Sequence, residues 1–296
     1  TLDKRQDPRC GPGLPACGDS RCCSKAGFCG YTNRHCGAHC QVGRGRCDID
    51  ALRRLNRPWP RLGGIWHTTC VEPNTVALTW DDGPSDYTWP LLDLLKWEGA
   101  KGTFFVNGQN RERQPFDTRD GTWSDFLKRI VRDGHQLASH TWSHAASLED
   151  LAENSPASLD EEVMWTESMF DYMLGGVFPT YMRPPYGACK SDKCLKRIAE
   201  LGYTVAGWNL DTRDFANQNQ IGRSKDIFSS VLFNDNDNQR KTIALAHDVW
   251  PKTLDLARHM ISESKRRGVR FVTVAECLGD WDPTNWYRDS KTGRGR

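Results

Sequence analysis

From about Ile65 onward the chain alternates short apolar runs with amphipathic stretches. Runs of strand length and composition occur at Thr75 to Trp80, Thr103 to Val106, Gln136 to Ser139, Thr180 to Arg183, Thr204 to Asn209, Thr242 to Ala246 and Arg270 to Val274. Between them apolar residues recur at helical spacing, as in Trp89-Leu91-Leu92-Leu95, Phe126-Leu127-Ile130-Val131, Val163 to Leu174, Leu195-Ile198-Ala199 and Leu254 to Ile261. These alternations predict an α/β fold of parallel strands joined by crossover helices. A distorted (β/α) barrel of about seven strands is expected, with an open doubly wound sheet as the alternative. The barrel reading puts chemistry at the carboxyl ends of strands, and the polar residues that stand out fall there. Asp81 and Asp82 follow the first run, His140 the third and Arg183 ends the fourth; Asp211 follows the fifth and His247 the sixth.

Upstream the pattern is of another kind. Eight of the 12 cysteines lie between Cys10 and Cys47 with the spacing C-x6-C-x4-C-C-x5-C-x6-C-x3-C-x6-C, among many glycines and few aliphatic residues. Such a segment cannot fold around an apolar core, so crosslinks must hold it. A zinc cluster is the competing account, disfavoured by the lack of paired C-x-x-C knuckles. An oxidising, secretory compartment follows. Residues 48–64, with Arg53, Arg54, Arg57 and Arg61 among Pro58, Pro60 and paired glycines, are expected to form a solvated linker. Residues 1–9 are expected as a leader with a dibasic Lys4-Arg5 pair, residues 65–282 as the main domain, and residues 283–296, with Lys291, Arg294 and Arg296, as a solvated tail. The chain opens at Thr1 with no initiating Met and no apolar leader, so a signal segment is expected to precede it. A net charge of +2 gives no reason to expect nucleic acid or an acidic partner. A mean hydropathy of −0.68 and the lack of a bilayer-length apolar run predict no membrane helix. A secreted monomer is the default expectation.

The candidate chemistry starts at Thr79-Trp80-Asp81-Asp82-Gly83-Pro84, where a turn after the first run lets two adjacent carboxylates face one cavity. Two anions so close raise one pKa unless a cation sits between them. His140-Thr141-Trp142-Ser143-His144 supplies two imidazoles, and one carboxylate with two imidazoles makes a three-ligand metal site with open positions. Taken singly, the fragments read as a solvated turn and two surface histidines; the pairing carries the metal reading. Arg183-Pro184-Pro185-Tyr186-Gly187 is a stiffened turn whose Tyr186 amide is placed to donate to a developing oxyanion. Asp211-Thr212-Arg213-Asp214-Phe215 adds a carboxylate able to hold Arg183 or a histidine, and Leu245-Ala246-His247-Asp248 ends an apolar run with an imidazole. Of 12 tryptophans, Trp142 and Trp250 are candidate platforms for a substrate ring.

Taken in order, these five motifs resemble those of the polysaccharide deacetylase (NodB homology) family, carbohydrate esterase family four, over roughly Ile65 to Trp281. With Phe104-Phe105-Val106-Asn107-Gly108, Glu276-Cys277-Leu278-Gly279-Asp280 and Asn285-Trp286-Tyr287, the chain looks most like the fungal chitin deacetylases. The resemblance implies a divalent metal on Asp82, His140 and His144, usually zinc, with cobalt as the alternative. It implies Asp81 as general base oriented by Arg183, His247 as general acid tuned by Asp211, and Leu245 against the acetyl methyl. Phe215 and Asn107 are expected in the same substrate pocket. Trp80 and Phe215 depart from the aromatic residues usual at their positions.

The cysteine spacing of the first segment resembles the hevein-type chitin-binding module. That resemblance implies the pairs Cys10–Cys23, Cys17–Cys29, Cys22–Cys36 and Cys40–Cys47; for the main domain Cys70–Cys277 and Cys189–Cys194 are implied. Ser24 and Phe28 match two of the module's sugar-binding positions, Ala26 and His35 occupy the other two, and Tyr31 is a substitute platform. Losing two rings predicts weak chitin binding or a structural role. The implied activity is hydrolysis of N-acetyl groups from N-acetylglucosamine units of chitin or its oligomers. Acetylated xylan and peptidoglycan are the alternative substrates, and a non-catalytic chitin-binding lectin is the alternative of another class.

Overall fold

The computed structural model describes residues 8–109, 122–234 and 240–295; Lys4-Arg5 and Arg296 lie outside them. Its main sheet is parallel, in the order Leu210–Asp211, Lys241–His247, Thr75–Asp81, Gly102–Val106, Gln136–Ser139, Tyr181–Met182, Thr204–Ala206, Trp66–His67, with Arg270–Phe271 paired to the start of Thr75–Asp81. The helices Thr88–Glu98, Thr122–Arg132, Pro156–Leu174, Asp192–Glu200, Gly222–Asn234 and Thr253–Arg266 lie between successive strands. The helix Gly222–Asn234, whose apolar face is Ile227, Phe228, Val231 and Leu232, and the strands Trp66–His67 and Leu210–Asp211 were not among the elements expected from the sequence.

The period-two alternation of strand side chains divides the core in two. Ala77, Phe105, Ala138, Tyr181, Ala206 and Ile243 form one cluster, the interior layer of the barrel. Their neighbours Val76, Leu78, Trp80, Phe104, Val106, Leu137, Met182, Val205 and Ala244 belong to the other, between sheet and helices. Three alanines against three large side chains fill the narrow interior without a pore. Trp80 stacks on Phe104 at 5.3 Å in the outer layer, so this departure from the family pattern lies outside the barrel interior.

One segment distorts the barrel and brings its edges together. Thr204–Ala206 pairs with Tyr181–Met182, and four residues on, Leu210–Asp211 pairs with Ala244 and Leu245. A single stretch of chain thus bonds to one side of the sheet with its first half and the other side with its second. Because the strand changes partner midway, Asp211 is carried along the strand Lys241–His247 to the rim.

Six disulfides are formed: Cys10–Cys23, Cys17–Cys29, Cys22–Cys36, Cys40–Cys47, Cys70–Cys277 and Cys189–Cys194. No helix among the described residues is long and apolar enough to cross a membrane.

Two segments expected to be solvated are docked. Within residues 48–64, the helix Asp48–Leu52 buries Ile49 and Leu52. Arg57 forms a bidentate pair with Glu167 of the helix Pro156–Leu174 at 2.6 and 2.7 Å. In the tail, Tyr287–Asp289 pairs antiparallel with Val177–Pro179, and the Tyr287 hydroxyl accepts from the Leu137 amide at 3.1 Å. Both corrections have one cause: the partners lie far away in sequence, so local composition cannot show them.

His135 makes a stability prediction. Its ring is buried edge-on to Phe104, and neither ring nitrogen has a hydrogen-bond partner among the described residues. Burial pushes its pKa down from 6.5 to about 4. The folded protein therefore takes up this proton less readily than the unfolded chain. Stability is full above about pH 6.5 and falls as the pH drops toward 4, by about 3 kcal/mol for a shift of this size. Urea unfolding at about pH 7 and pH 4 should show His135→Phe losing less stability than the parent by roughly that amount. Equal losses would remove His135 as the cause.

Candidate active site

The strand Thr75–Asp81 delivers Asp81 to the rim, and Asp82 turns into the left-handed region at φ 74°. Asp81 Oδ1 accepts from Arg183 Nη1 at 2.7 Å, while Oδ2 lies 3.7 Å from His140 Nε2. Arg183 is wholly buried and its guanidinium is spent on fixed partners: Nε donates to Ala206 O, Nη2 to Gly207 O, and Nη1 also to Thr79 Oγ1. Its cation lies 4.1 Å over the Phe105 ring. A fork held at so many points fixes Asp81 in position.

Asp82, His140 and His144 face one another, with one potential ligand atom from each lying within 4.8 Å of the others. Asp82 Oδ1 is 3.5 Å from His140 Nε2 and 3.2 Å from His144 Nε2. Two ligands each ~2.1 Å from a tetrahedral ion are separated by roughly 3.4 Å, so the two Asp82–histidine separations suit a zinc-sized ion. The tautomer agrees. His140 Nδ1 donates to the Arg183 carbonyl at 2.6 Å, so in the neutral ring the Nε2 lone pair faces the Asp82 carboxylate. Two acceptors so placed call for a cation between them. Burial opposes ionisation of Asp82; where His140 and His144 carry protons on the nitrogens that face it, their contacts outweigh burial and hold its pKa well below the usual carboxylate range, and a cation between neutral rings acts in the same direction. Asp82, Thr141 and His144 all have φ between 55° and 74°, a left-handed cluster of the kind kept at functional sites by the structure around it.

Across the cavity, His247 ends the strand Lys241–His247. Its Nδ1 lies 2.7 Å from Asp214 Oδ1, and its backbone amide donates to Asp214 Oδ2 at 2.9 Å. Burial works against the imidazolium, yet Asp214, followed by Asp82 and Asp81, raises its pKa to about 9. This corrects the expectation for Asp211, whose carboxylate accepts from the Arg213 amide at 2.8 Å and is not the histidine's partner. The left-handed Arg213 reverses the chain and brings Asp214 beneath His247. A cavity of about 540 Å³ joins Asp81, Asp82, His140, His144 and His247 to Tyr186, Asp211, Phe215, Leu245 and Trp250, with Pro184, Trp208 and Val249 completing its walls. Tyr186 sits in the tight turn Pro185–Gly187 at φ 58°, and its ring meets His144 at 4.5 Å. Phe215 stands edge-on to His247 at 5.8 Å.

Residues 68–206 match the family model described as polysaccharide deacetylase. A chitin deacetylase of Arthroderma benhamiae is 40% identical over 225 residues, covering 75% of this chain and 56% of the relative. A probable peptidoglycan-N-acetylglucosamine deacetylase of the same organism is 41% identical over 221 residues, covering 74% of this chain and 47% of the relative. The chain thus spans about half the length of these two curated relatives. The solved chitin deacetylase of Colletotrichum lindemuthianum superposes with a TM-score of 0.68 at 35% identity, covering 76% of this chain and 96% of that one. This chain belongs to the polysaccharide deacetylase family.

Other expected site residues lie elsewhere. Asn107 is buried behind the cavity, where its side-chain amide donates to the His140 carbonyl at 2.6 Å. Trp142 is not a platform: it is buried, and its indole N–H donates to His39 of the cysteine-rich segment at 3.2 Å. The left-handed Thr141 turns it away from the ligands. Two residues escaped the sequence reading. Asp214 lay inside a motif already singled out, three residues from the carboxylate chosen; Trp208 carried no signal beyond its ring.

In the cysteine-rich segment, the Ser24 hydroxyl accepts from the Phe28 amide at 3.1 Å, and the Phe28 ring is covered on one face by the Arg9 guanidinium at 4.5 Å. His35 Nδ1 is 2.7 Å from Thr32 Oγ1. Tyr31, with its hydroxyl donating to Asp19 O, is 66% exposed and is the more open ring.

Proposed function

We propose that this chain is a secreted, metal-dependent N-deacetylase acting on the N-acetylglucosamine units of chitin or its oligomers. One observation carries the reading: Asp81, pinned by Arg183, and His247, pinned by Asp214, open on the same cavity as the Asp82–His140–His144 group. A divalent ion held by those three residues, zinc in preference to cobalt for this nitrogen-rich set, supplies a Lewis acid for the acetamide carbonyl and a water of lowered pKa. Asp81 takes the proton of the attacking water as general base. The Tyr186 amide donates to the carbonyl oxygen as negative charge develops there. The carbon–nitrogen bond breaks only when nitrogen is protonated, because an amide anion is too basic to leave, and His247 gives that proton. Leu245 and Phe215 offer apolar wall to the acetyl methyl, while Trp250 and Trp208 offer ring faces to the sugar.

The six disulfides support an oxidising, extracellular setting. Similarity to a probable peptidoglycan deacetylase supports a second reading, in which the same sugar is deacetylated in another polymer. The test is acetate release from chitin oligomers, peptidoglycan and acetylated xylan by protein stripped with a chelator, then restored with zinc. Zinc-dependent release from chitin oligomers is expected. Release from xylan alone would overturn the reading, and release from peptidoglycan alone would select the second.

A further inference from the structure

The loop that carries His140 and His144 is gripped from three directions, and one grip comes from outside the barrel. On one side it is zipped to the loop after Gly102–Val106: His140 N donates to Val106 O, Gly108 N to Thr141 O and Gln109 N to Trp142 O. On another, Glu162 of the helix Pro156–Leu174 accepts from Ser143 N and Ser143 Oγ, each at 2.8 Å, and its carbonyl accepts from Trp142 N. The third contact is with the cysteine-rich segment. His39, at φ 60° beside Cys40, packs its ring 4.4 Å from Trp165 and takes the indole N–H of Trp142 on Nε2. The indole can only donate, so Nε2 of His39 is unprotonated and the ring is neutral. Burial and Lys25 favour the same form and outweigh a side-chain hydrogen bond with Gln109 that opposes it. Trp142 in turn lies so close over Gly108 that a side-chain carbon there would fall 1.9 Å from the ring.

We infer that His39 is a positioning residue for the metal ligands, and that the cysteine-rich segment serves the active site as a clamp on the ligand-bearing loop. The loop holds Thr141 and His144 in left-handed conformations, which persist only where surrounding contacts over-determine them. Trp142 sits between the two histidines, so freeing its indole releases the stretch that sets their separation. Without His39 the buried indole N–H loses its acceptor, and the loop relaxes toward ordinary backbone at the expense of ligand geometry. Outer groups that orient ligands commonly change metal affinity by about 10- to 100-fold.

This inference rests on reading Asp82, His140 and His144 as a metal site, and its test uses zinc binding, not turnover. The full-length protein is stripped, and zinc is titrated in competition with a chromophoric chelator, well below the melting temperature of each variant. His39→Ala, which removes the acceptor, and Trp142→Phe, which keeps a ring but removes the donor, should each weaken zinc binding about 10-fold or more. His39→Gln, which restores an acceptor, should lie closer to the parent. Unchanged zinc affinity in Trp142→Phe, or in folded His39→Ala, overturns the inference while leaving the proposed function standing. If His39→Ala does not fold, Trp142→Phe and His39→Gln decide: weak binding in the first with near-parental binding in the second supports the clamp, and any other result refutes it. A parent protein that takes up no zinc defeats the metal reading itself.

Discussion

Asp214→Asn is expected to lower kcat by about 10²- to 10⁴-fold, the range for loss of a positioned acid, while Asp211→Asn costs far less. Asp214 grips His247 at two points, the ring Nδ1 and the backbone amide, and is itself buried. An amide in its place keeps the shape but removes the anion that keeps the imidazole protonated. With His247 raised to about 9, the acid form prevails through neutral pH and is lost as the pH climbs through that value. A divalent ion in the cavity offsets the shares of Asp82 and Asp81, leaving Asp214 as the principal source of the rise. Without Asp214, burial acts with little opposition and drives the imidazole pKa down. The alkaline limb of the kcat profile should then move to lower pH, with the residual rate highest on the acid side. The check is kcat against pH for both variants. An Asp211→Asn enzyme that is the crippled one, or an Asp214→Asn enzyme whose alkaline limb stays put, would refute the assignment.

That pair of aspartates also marks the limit of what sequence shows. The strand ends were legible because an apolar run of strand length broken by turn residues has few interpretations. Asp81, Asp82, His140, Arg183 and His247 stand out because each is a polar group at the carboxyl end of such a run. Which neighbour faces inward was not legible wherever the backbone leaves the ordinary regions. Arg213 at φ 54° exchanges the roles of Asp211 and Asp214; Thr141 at φ 67° sends Trp142 to the cysteine-rich segment instead of the cavity. Neither residue is a glycine, so nothing in the sequence announces a left-handed turn. Partners far away in sequence are the other blind spot. Glu162 and Glu167 sit five residues apart on one helix and read as ordinary helix formers. One holds the ligand loop; the other holds an arginine 110 residues upstream.

Arg57→Met is expected to destabilise the protein by about 3–5 kcal/mol, the usual result of removing one member of a buried ion pair. The Arg57 and Glu167 side chains are 5% and 0% exposed. Arg57 also donates to the carbonyls of Leu201 and Leu52, tying the helix Asp48–Leu52 to the barrel. Taking away the guanidinium leaves a buried carboxylate stripped of the fork that bonds both its oxygens. Replacing both partners, as in Arg57→Met with Glu167→Leu, removes the stranded charge and should recover much of the loss. Urea unfolding of the two single variants and the double variant, with disulfides intact, measures this coupling. Single variants within about 1 kcal/mol of the parent would mean that the pair behaves as a surface bridge. The same pair helps seat the segment that bears His39, so it bears on the active site at a distance. If Arg57→Met loosens that seat without unfolding the barrel, its zinc affinity should fall alongside that of His39→Ala, linking a buried ion pair outside the cavity to the geometry of the metal ligands.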